Sequence, residues 1–331
     1  MRKRPVTIID IHTHAYTPKW LEILRSRGGE YGLKVRPDGF EEIFKGDTPV
    51  AFPQPGHFDY DLRIQQMNAT GIDVSVVSLT CPNVFWGDSA ISLEAAIESN
   101  NAMAEAQRIH PDRIRWFTSI PWQYPDLALQ ELNRSCEAGA VGVMVLANVA
   151  GESLTSQKFA PIWAEIDRRS LPVLLHPTDP PGAPVMDMDE FDMSWSVGFM
   201  FDTTLAVVRM MFNGFFDQYP NLKLIASHGG AALPYLVGRF EKGDEVELPI
   251  RRKMQQKPTD YLRHIYYDCI TYDPRALDYL IHIVGSDRVM FGTDWPHQVF
   301  DTEGAVANTA RLSEETRVAI RAANAQSIFD L

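Results

Sequence analysis

Cysteine and long apolar segments are both scarce in this sequence. Its three cysteines, Cys81, Cys136 and Cys269, are odd in number and far apart along the 331 residues. This spacing argues against a disulfide framework and favours a reducing, cytoplasmic environment. No apolar run approaches the roughly 18 residues that a membrane-spanning helix needs. The basic N-terminus lacks the apolar segment of a signal peptide, so we expect a cytoplasmic protein with no membrane partner.

Positive charge is also in the minority, which excludes other classes of partner. Lys and Arg number 31 against 43 Asp and Glu, and the formal net charge is −12. Such a surface repels nucleic acid and anionic membranes, so neither is expected as a partner. A small anionic substrate is still compatible with this charge if a local basic pocket receives it. With 45% hydrophobic and 22% charged residues, the composition is otherwise that of an ordinary globular protein.

Short apolar runs rich in β-branched residues alternate with segments of helical periodicity. Eight runs predict strands and each is followed by a predicted helix, which is the count of a (β/α)₈ TIM barrel in the α/β class. A doubly wound open sheet is the competing architecture, but no G-x-G-x-x-G motif follows the first run. The predicted strands are Val6–Ile11, Val74–Leu79, Ile114–Ile120, Val141–Leu146, Pro172–Leu175, Leu222–Ala226, Ile265–Cys269 and Val289–Phe291.

Two stretches interrupt this alternation, after the first and the fifth predicted strands. Residues 17–58 form a long insertion rich in Gly, Pro and charge, and residues 178–193 form a second long loop. Most of their residues are expected to be surface loop, although loops on this side of a barrel can cover an active site. Without internal repeats or a low-complexity tail, residues 1–331 are expected to form a single, somewhat distorted barrel domain.

The predicted helices complete this pattern. They are Asp61–Ala69, Leu93–Ile109, Pro125–Ala138, Phe159–Arg169, Thr204–Tyr219, Leu233–Glu247, Pro274–Val284 and Ser313–Phe329.

Side chains that bind metals stand at the ends of four predicted strands. Strand alternation places His12 and His14 on one side of the first strand. The fifth strand ends at His176, the sixth at His228 and the eighth at Asp294. Any one of these residues alone would more often be structural. Because all strand ends of a barrel converge on one rim, the set predicts a metal site.

This arrangement resembles the amidohydrolase superfamily, in which metal ligands come from strands one, five, six and eight. A finer resemblance, over nearly the whole chain, is to the amidohydrolase-related group that contains 2-amino-3-carboxymuconate-6-semialdehyde decarboxylase, with γ-resorcylate and 5-carboxyvanillate decarboxylases as more distant relatives. The His-x-His start favours the aminocarboxymuconate branch. The motifs are Arg63-x-x-x-Met67-x-x-x-Gly71-Ile72-Asp73, His176-Pro177, His228-Gly229-Gly230, Gly238-Arg239 and Val289-Met290-x-Gly292-x-Asp294-x-Pro296.

The resemblance also bears on the number of metal ions. Binuclear amidohydrolases use a carboxylated lysine at the end of strand four, whereas residues 141–152 here contain no lysine. We therefore expect one divalent ion, held by His12, His14, His176 and Asp294 together with a water. Three imidazoles and a carboxylate suit Zn²⁺ and are also compatible with Mn²⁺ or Fe²⁺.

The resemblance implies a decarboxylase that acts on a small unsaturated or aromatic carboxylate through a metal-activated water. His228 would activate the water, and Asp294 would move a proton to the substrate carbon as carbon dioxide leaves. The alternative is a metal-dependent hydrolase of a small ester, lactone or enol-type compound, which needs the same side chains. A binding protein that has lost its chemistry is disfavoured because the four ligand positions and His228 are intact.

Residues for substrate binding follow less directly. Arg239 stands where the relatives have an arginine that can reach the substrate of a neighbouring subunit, so a homodimer or higher homo-oligomer is expected; a surface arginine is the alternative. The relatives use another arginine in the insertion after strand one, but residues 48–57 contain none, and His57 is a candidate replacement donor. Trp195 is expected either in the pocket wall or in simple packing. Asp179 is a candidate to orient a ligand, and His297 a candidate to line the pocket.

Overall fold

The computed structural model describes residues 7–36, 39–46, 48–178, 182–188, 191, 193–246, 253–329 and 331. One cluster of buried apolar side chains extends from Ile8 to Phe329. Its largest members include Trp20, Trp116 and Trp163, which are almost completely shielded from solvent. Among the helices of the described residues, none combines the length and the apolar character that crossing a membrane requires.

Eight parallel strands form the centre of the fold, in the order in which they occur along the chain. The last segment returns to the first strand through a hydrogen bond from Ile11 N to Phe291 O of 3.0 Å and a parallel bridge between Thr13 and Trp295. The predicted (β/α)₈ barrel is therefore confirmed. Strands 1 to 8 of the barrel are Ile9–Ala15, Val74–Leu79, Ile114–Thr118, Gly142–Leu146, Pro172–His176, Lys223–Ala226, Tyr266–Asp268 and Val289–Met290.

Strand 1 differs from its prediction in a way that matters for the site. The apolar run predicted an end at Ile11, but the strand continues to Ala15, and Thr13 and His14 pair with Val77 and Ser78 of strand 2. The predicted start, Val6, lies outside the described residues. The two histidines are thus part of the strand itself and are completely buried. The apolar pattern did not predict this extension, because its polar residues are held in the strand by pairing with a part of the chain that is distant in sequence.

Helices surround the barrel, and several begin at an aspartate whose side chain accepts a backbone N–H of the first turn. Asp59 accepts from Leu62 N and Asp273 from Arg275 N, which is the usual role of aspartate at a helix start. The helices are Pro18–Arg27, Tyr60–Thr70, Ser89–Ile109, Pro125–Glu137, Ala160–Arg169, Phe199–Phe212, Phe215–Gln218, Leu233–Glu245, Pro258–His264, Pro274–Val284, Thr302–Ala310, Glu314–Val318 and Asn324–Ile328.

The insertion after strand 1 contains regular structure, and the expectation of a surface loop is wrong for most of it. It begins with the helix Pro18–Arg27 and continues as a three-stranded antiparallel sheet. The helix forms because Trp20 and Leu24 bury one face of it against the core. We call the sheet the insertion sheet; its strands are Tyr31–Val35, Glu41–Lys45 and Thr48–Ala51.

The long loop after strand 5 is described only in part. It contains a short helical turn, Ala183–Met186, and leads through a π-helical segment, Ser194–Gly198, into the helix Phe199–Phe212. The sequence predicted one helix over Thr204–Tyr219. The structure instead has two helices, because Gly214 adopts a left-handed φ of 73° between them.

Candidate metal centre

The four predicted ligands converge on a small volume at the C-terminal end of the barrel. Nε2 of His12 lies 3.0 Å from Nε2 of His14. Oδ1 of Asp294 lies 3.3 Å from the first of these nitrogens and 3.1 Å from the second. His176 belongs to two groups of ligand atoms that lie within 4.8 Å of one another, one containing His12 and the other His14. Residues more than 280 positions apart in the chain therefore meet at one point.

The outer nitrogens of His12 and His14 are held by acceptors, which leaves their inner nitrogens free to bind a cation. Nδ1 of His12 lies 2.7 Å from a carboxylate oxygen of Asp268. Nδ1 of His14 lies 3.0 Å from the Ser78 hydroxyl, which in turn donates to the backbone oxygen of Thr13. In the neutral tautomers that donate from Nδ1 to these acceptors, two Nε2 lone pairs face each other beside a carboxylate. A divalent cation bound between these atoms would offset the repulsion among their lone pairs.

His176 adds a third nitrogen in the same state. Its Nδ1 donates to the backbone oxygen of Pro177 at 2.8 Å. Its Nε2 is buried and has no hydrogen-bond partner among the described residues. Burial, reinforced by the neighbouring imidazoles of His14 and His12, holds the pKa of His176 well below its usual value. A neutral imidazole with a buried free lone pair is a good metal ligand, and a buried polar atom without a partner requires such an explanation.

Asp268 is the organising residue that sequence reasoning missed. Its carboxylate is fully buried and accepts from His12 Nδ1, from the backbone N–H groups of His228 and Gly229 at 2.8 Å each, and from that of Ile270 at 3.0 Å. One carboxylate thus holds a candidate metal ligand and the adjacent segment after strand 6. The signal was present, because the seventh predicted strand, Ile265–Cys269, contains this acidic residue next to its end.

His228 lies beside the ligands on the open side of the centre. Its Nε2 is 3.4 Å from Oδ2 of Asp294, and it belongs to the group of ligand atoms that includes His12 and His176. Its φ of 54° is in the left-handed region, which is uncommon for a residue other than glycine. The bonds to Asp268 stabilise this backbone conformation and direct the imidazole toward Asp294.

Asp294 depends on a close approach of the chain after strand 8 to the neighbouring strands. Its backbone N–H donates to the oxygen of His12 at 2.9 Å, and its φ is 61°. Two residues earlier stands Gly292, where an added Cβ would lie 3.0 Å from Cβ of His12 and 3.1 Å from Cβ of Asp268. The glycine therefore lets this segment come close enough for Asp294 to reach the histidines.

Arg63 supports the centre from below. Its buried guanidinium donates to the Thr13 hydroxyl and to the backbone oxygen of His14, and it packs over the Trp295 ring at 4.6 Å. Burial lowers its pKa to about 10, so it remains charged at neutral pH. It joins strand 1 to the segment that follows Asp294. The role explains why an arginine stands in the Arg63-x-x-x-Met67 motif.

A cavity of about 1110 Å³ opens from the centre toward solvent. Its floor includes His176, His228, Asp294 and His297, and its walls come from the insertion sheet and from the segments that follow strands 5 to 8. The floor is thus polar and can hold a metal. The walls are formed largely by apolar and aromatic side chains.

The predicted substrate-binding residues are not all brought to this cavity. Trp195 lines it and is 42% exposed. Arg239 is exposed on the helix Leu233–Glu245 and does not line it. An arginine does reach the cavity from the insertion, but it is Arg36, which lies before residues 48–57, where the resemblance placed the expected arginine.

The two candidate histidines differ in position. His57 is buried, accepts the backbone N–H of Gln54 at 2.9 Å through Nδ1, and does not line the cavity. His297 lines the floor, and its ring centre is 4.8 Å from that of His14. Asp179 lies outside the described residues.

Comparison with known proteins agrees with this geometry. A family model described as amidohydrolase matches residues 9–331. The 2-amino-3-carboxymuconate-6-semialdehyde decarboxylase of Dictyostelium discoideum is 28% identical over 343 residues, covering 98% of this chain and 91% of that protein. The γ-resorcylate decarboxylase of Rhizobium radiobacter is 30% identical over 285 residues, covering 82% of this chain and 87% of that protein.

A solved structure is similar over the whole barrel. The dihydroxybenzoic acid decarboxylase of Polaromonas sp. JS666, with bound manganese and the inhibitor 2-nitroresorcinol, superposes with a TM-score of 0.81 at 26% identity. The alignment covers 98% of this chain and 97% of that one. The manganese in that structure and the His/Asp cluster here both support a site for a single divalent metal ion. The family model spans nearly the entire sequence, and this chain belongs to the amidohydrolase family.

Proposed function

We propose that this protein is a mononuclear metal-dependent decarboxylase, a carboxy-lyase that acts on a small aromatic or unsaturated carboxylate. The observation that carries the proposal is the contact between His228 and Asp294 beside three converging imidazoles, at the floor of a cavity. The relatives named above are decarboxylases of carboxylates that carry hydroxyl or unsaturated groups. They support decarboxylation over the hydrolase alternative, for which no relative named here provides comparable support.

In this proposal, His12, His14, His176 and Asp294 hold the ion. Zn²⁺ is our proposed metal because imidazole-rich sets of four ligands suit it, with Mn²⁺ and Fe²⁺ as alternatives. When bound, the cation supplies Lewis acidity at the cavity floor. Asp268, Ser78 and the backbone oxygen of Pro177 hold the outer nitrogens and so keep the three imidazoles in the correct tautomer.

Two side chains, Asp294 and His228, transfer one proton in this reaction. Asp294 transfers it to the substrate carbon that bears the carboxylate. The bond between that carbon and the carboxylate then breaks, its electrons remain with the substrate, and carbon dioxide leaves. His228 lies 3.4 Å from Asp294. It activates the water and exchanges protons between that water and the Asp294 carboxylate. An imidazole suits this role because it can gain or lose a proton near neutral pH.

The test compares two reactions with one preparation. The protein is loaded separately with Zn²⁺ and Mn²⁺ and given 2,6-dihydroxybenzoate, other hydroxybenzoates and muconate-type carboxylates, and carbon dioxide is measured. The same preparation is given small esters and lactones, and acid release is measured. We expect metal-dependent carbon dioxide release, with metal-stripped protein as the control. Hydrolysis without carbon dioxide release would show that the protein is the metal-dependent hydrolase of the alternative proposal.

We also propose a cytoplasmic homodimer or higher homo-oligomer in which Arg239 serves a neighbouring site. Arg239 is exposed and follows Tyr235 by one helical turn, and Tyr235 is at the mouth of the cavity. Mixed refolding of an Arg239→Ala chain with a His228→Asn chain tests this role. If Arg239 acts across an interface, the mixture recovers activity that neither variant shows alone. A monomer with full activity would rule the role out.

A further inference from the structure

The cavity is much larger than one aromatic ring requires. Pockets that enclose drug-sized ligands have volumes of about 300–1,000 Å³, and this cavity has about 1110 Å³. A single-ring carboxylate held by its carboxylate at the metal end is considerably smaller than such a ligand. It would leave most of the space above the floor unfilled.

The walls above the floor are apolar, and their charges cancel. Val50 and Phe52 come from the insertion, Phe199 and Met200 from the helix after strand 5, and Leu280 from the helix after strand 7. Besides Asp294 and the histidines, the charged side chains among the described lining residues are one arginine and one glutamate, Arg36 and Glu42. Within one subunit, the wall therefore has no net positive charge for a second carboxylate group.

Four aromatic side chains at the mouth are unusually exposed. Trp195, Tyr235, Tyr272 and Tyr279 all line the cavity, with 42%, 81%, 45% and 43% of their surfaces accessible. Aromatic rings exposed together commonly mark a surface that binds an apolar group. The nearby sequence adds no positive charge that could bind an anion, because residues 170–208 contain neither lysine nor arginine. Within one subunit, the mouth is thus suited to an apolar group and supplies no cation for an anionic one.

We propose that the substrate is a monocarboxylate whose ring or unsaturated core carries a bulky apolar substituent, which packs against these walls. The inference rests on the proposed decarboxylase function and adds the substrate class. The carboxylate binds at the floor, and the substituent extends toward the aromatic mouth. Burial of apolar groups then makes binding tighter by about three- to fourfold for each added methylene.

The first experiment varies the length of the substituent. Hydroxybenzoates carrying hydrogen, methyl, propyl or pentyl at one ring position are compared by kcat/KM on the metal-loaded protein. A fifth compound carries a second carboxylate at that position. We expect kcat/KM to rise with each step of the alkyl series and to be lowest for the dicarboxylate. A flat or falling series, or a preference for the dicarboxylate, overturns the inference.

A second experiment measures binding without turnover. Nitro compounds in which the nitro group replaces the carboxylate carry the same alkyl series, and their Kd values are measured by calorimetry. Kd should decrease along the series, and unchanged values overturn the inference. Carbon dioxide release without an alkyl preference leaves the proposed function standing and removes only the substrate class. An alkyl-dependent Kd without carbon dioxide release from any carboxylate supports the apolar site and removes the reaction.

A matched pair of variants locates the effect. Trp195→Ala removes a ring that lines the cavity, and Phe201→Ala removes a ring that is 50% exposed but does not line it. The ratio of kcat/KM for the pentyl compound to that for the unsubstituted ring should fall by about fivefold or more in Trp195→Ala. It should be unchanged in Phe201→Ala. Equal ratios in the two variants would contradict binding of the substituent at this wall.

Discussion

The floor and the walls of the cavity are built in different ways. At the floor, the polar side chains stand at or just beyond strand ends, are buried or half-buried, and are held by hydrogen bonds such as those that Asp268 accepts. The walls come from the insertion sheet, loops and helix starts, and several of their aromatic side chains are exposed to solvent. Rigid strands can position ligands and proton donors accurately, whereas loops can vary in shape without disturbing them. In our proposal, the floor therefore carries out the chemistry and the walls select the substrate.

If this separation is correct, loss of a metal ligand has the largest effect. We expect His12→Ala to abolish activity and to leave the purified protein with little metal, because one of three imidazoles is removed. Metal content and carbon dioxide release are measured together. His282→Ala, which changes an exposed histidine on the helix Pro274–Val284, is the control. Normal activity of His12→Ala without metal would remove the proposed mechanism.

Replacement of the proposed base has the next largest effect. His228→Asn keeps a residue that tolerates the left-handed backbone at this position. We expect kcat to fall by about 10²-fold or more, the scale typical of acid–base residues, while metal remains bound. Turnover close to normal would show that another group exchanges the proton.

Asp268→Asn tests whether the hydrogen-bond acceptor beneath the floor matters. The amide has the shape of the carboxylate but cannot accept all of its four bonds. Loss of such an outer partner typically lowers metal affinity or activity by about 10- to 100-fold. Both quantities are measured against Asp278→Asn, which changes an aspartate in an exposed ion pair with Arg311. Equal behaviour of the two variants would remove the positioning role of Asp268.

Arg63→Lys weakens the support between strand 1 and the Asp294 segment. Lysine keeps the charge but not the two-pronged geometry that reaches the Thr13 hydroxyl and the His14 oxygen. Leaving buried acceptors without donors should lower the free energy of unfolding by about 1–3 kcal/mol. Chemical denaturation of the metal-free protein measures it. An unchanged midpoint would mean that the lysine reaches both acceptors.

A change in the wall should have the smallest effect and a different kinetic signature. Val50→Ala shortens a half-buried side chain of the insertion sheet that lines the cavity. We expect KM to rise by about three- to fourfold, since the two methyl groups lost from a half-buried side chain are equivalent to about one fully buried methylene, with kcat nearly unchanged. A large fall in kcat would show that wall and floor are coupled and would contradict the comparison.

Much of the floor could be predicted from the sequence because its signals are local. Apolar runs of strand length, repeated eight times, predicted the barrel, and a barrel brings strand ends to one rim. His12, His14, His176 and Asp294 were identified by their places in those runs. The structure brings their side chains together, with His228 alongside. Their assignment as ligands and base is a proposal that the variants above address.

The walls could not be predicted in the same way. The insertion was expected to be mostly loop because its sequence is charged and rich in glycine. Its helix and sheet are stabilised by packing on distant residues, which the local sequence pattern does not indicate. Arg36 reaches the cavity through that sheet, whereas Arg239 and His57 do not line it. Such positions depend on how loops from different strands pack against one another. No spacing in the sequence encodes that packing.

The sequence by itself determined the barrel, its family and the side chains available at the strand ends, because periodicity and residue type act over short distances. Only the tertiary structure decided which groups hold those side chains and what space lies above them. Asp268 accepts from the His12 imidazole of strand 1 and from the backbone N–H of His228 after strand 6, and the second bond stabilises the left-handed backbone at His228. Hydrogen bonds and contacts between residues far apart in the chain, rather than local propensity, complete the site.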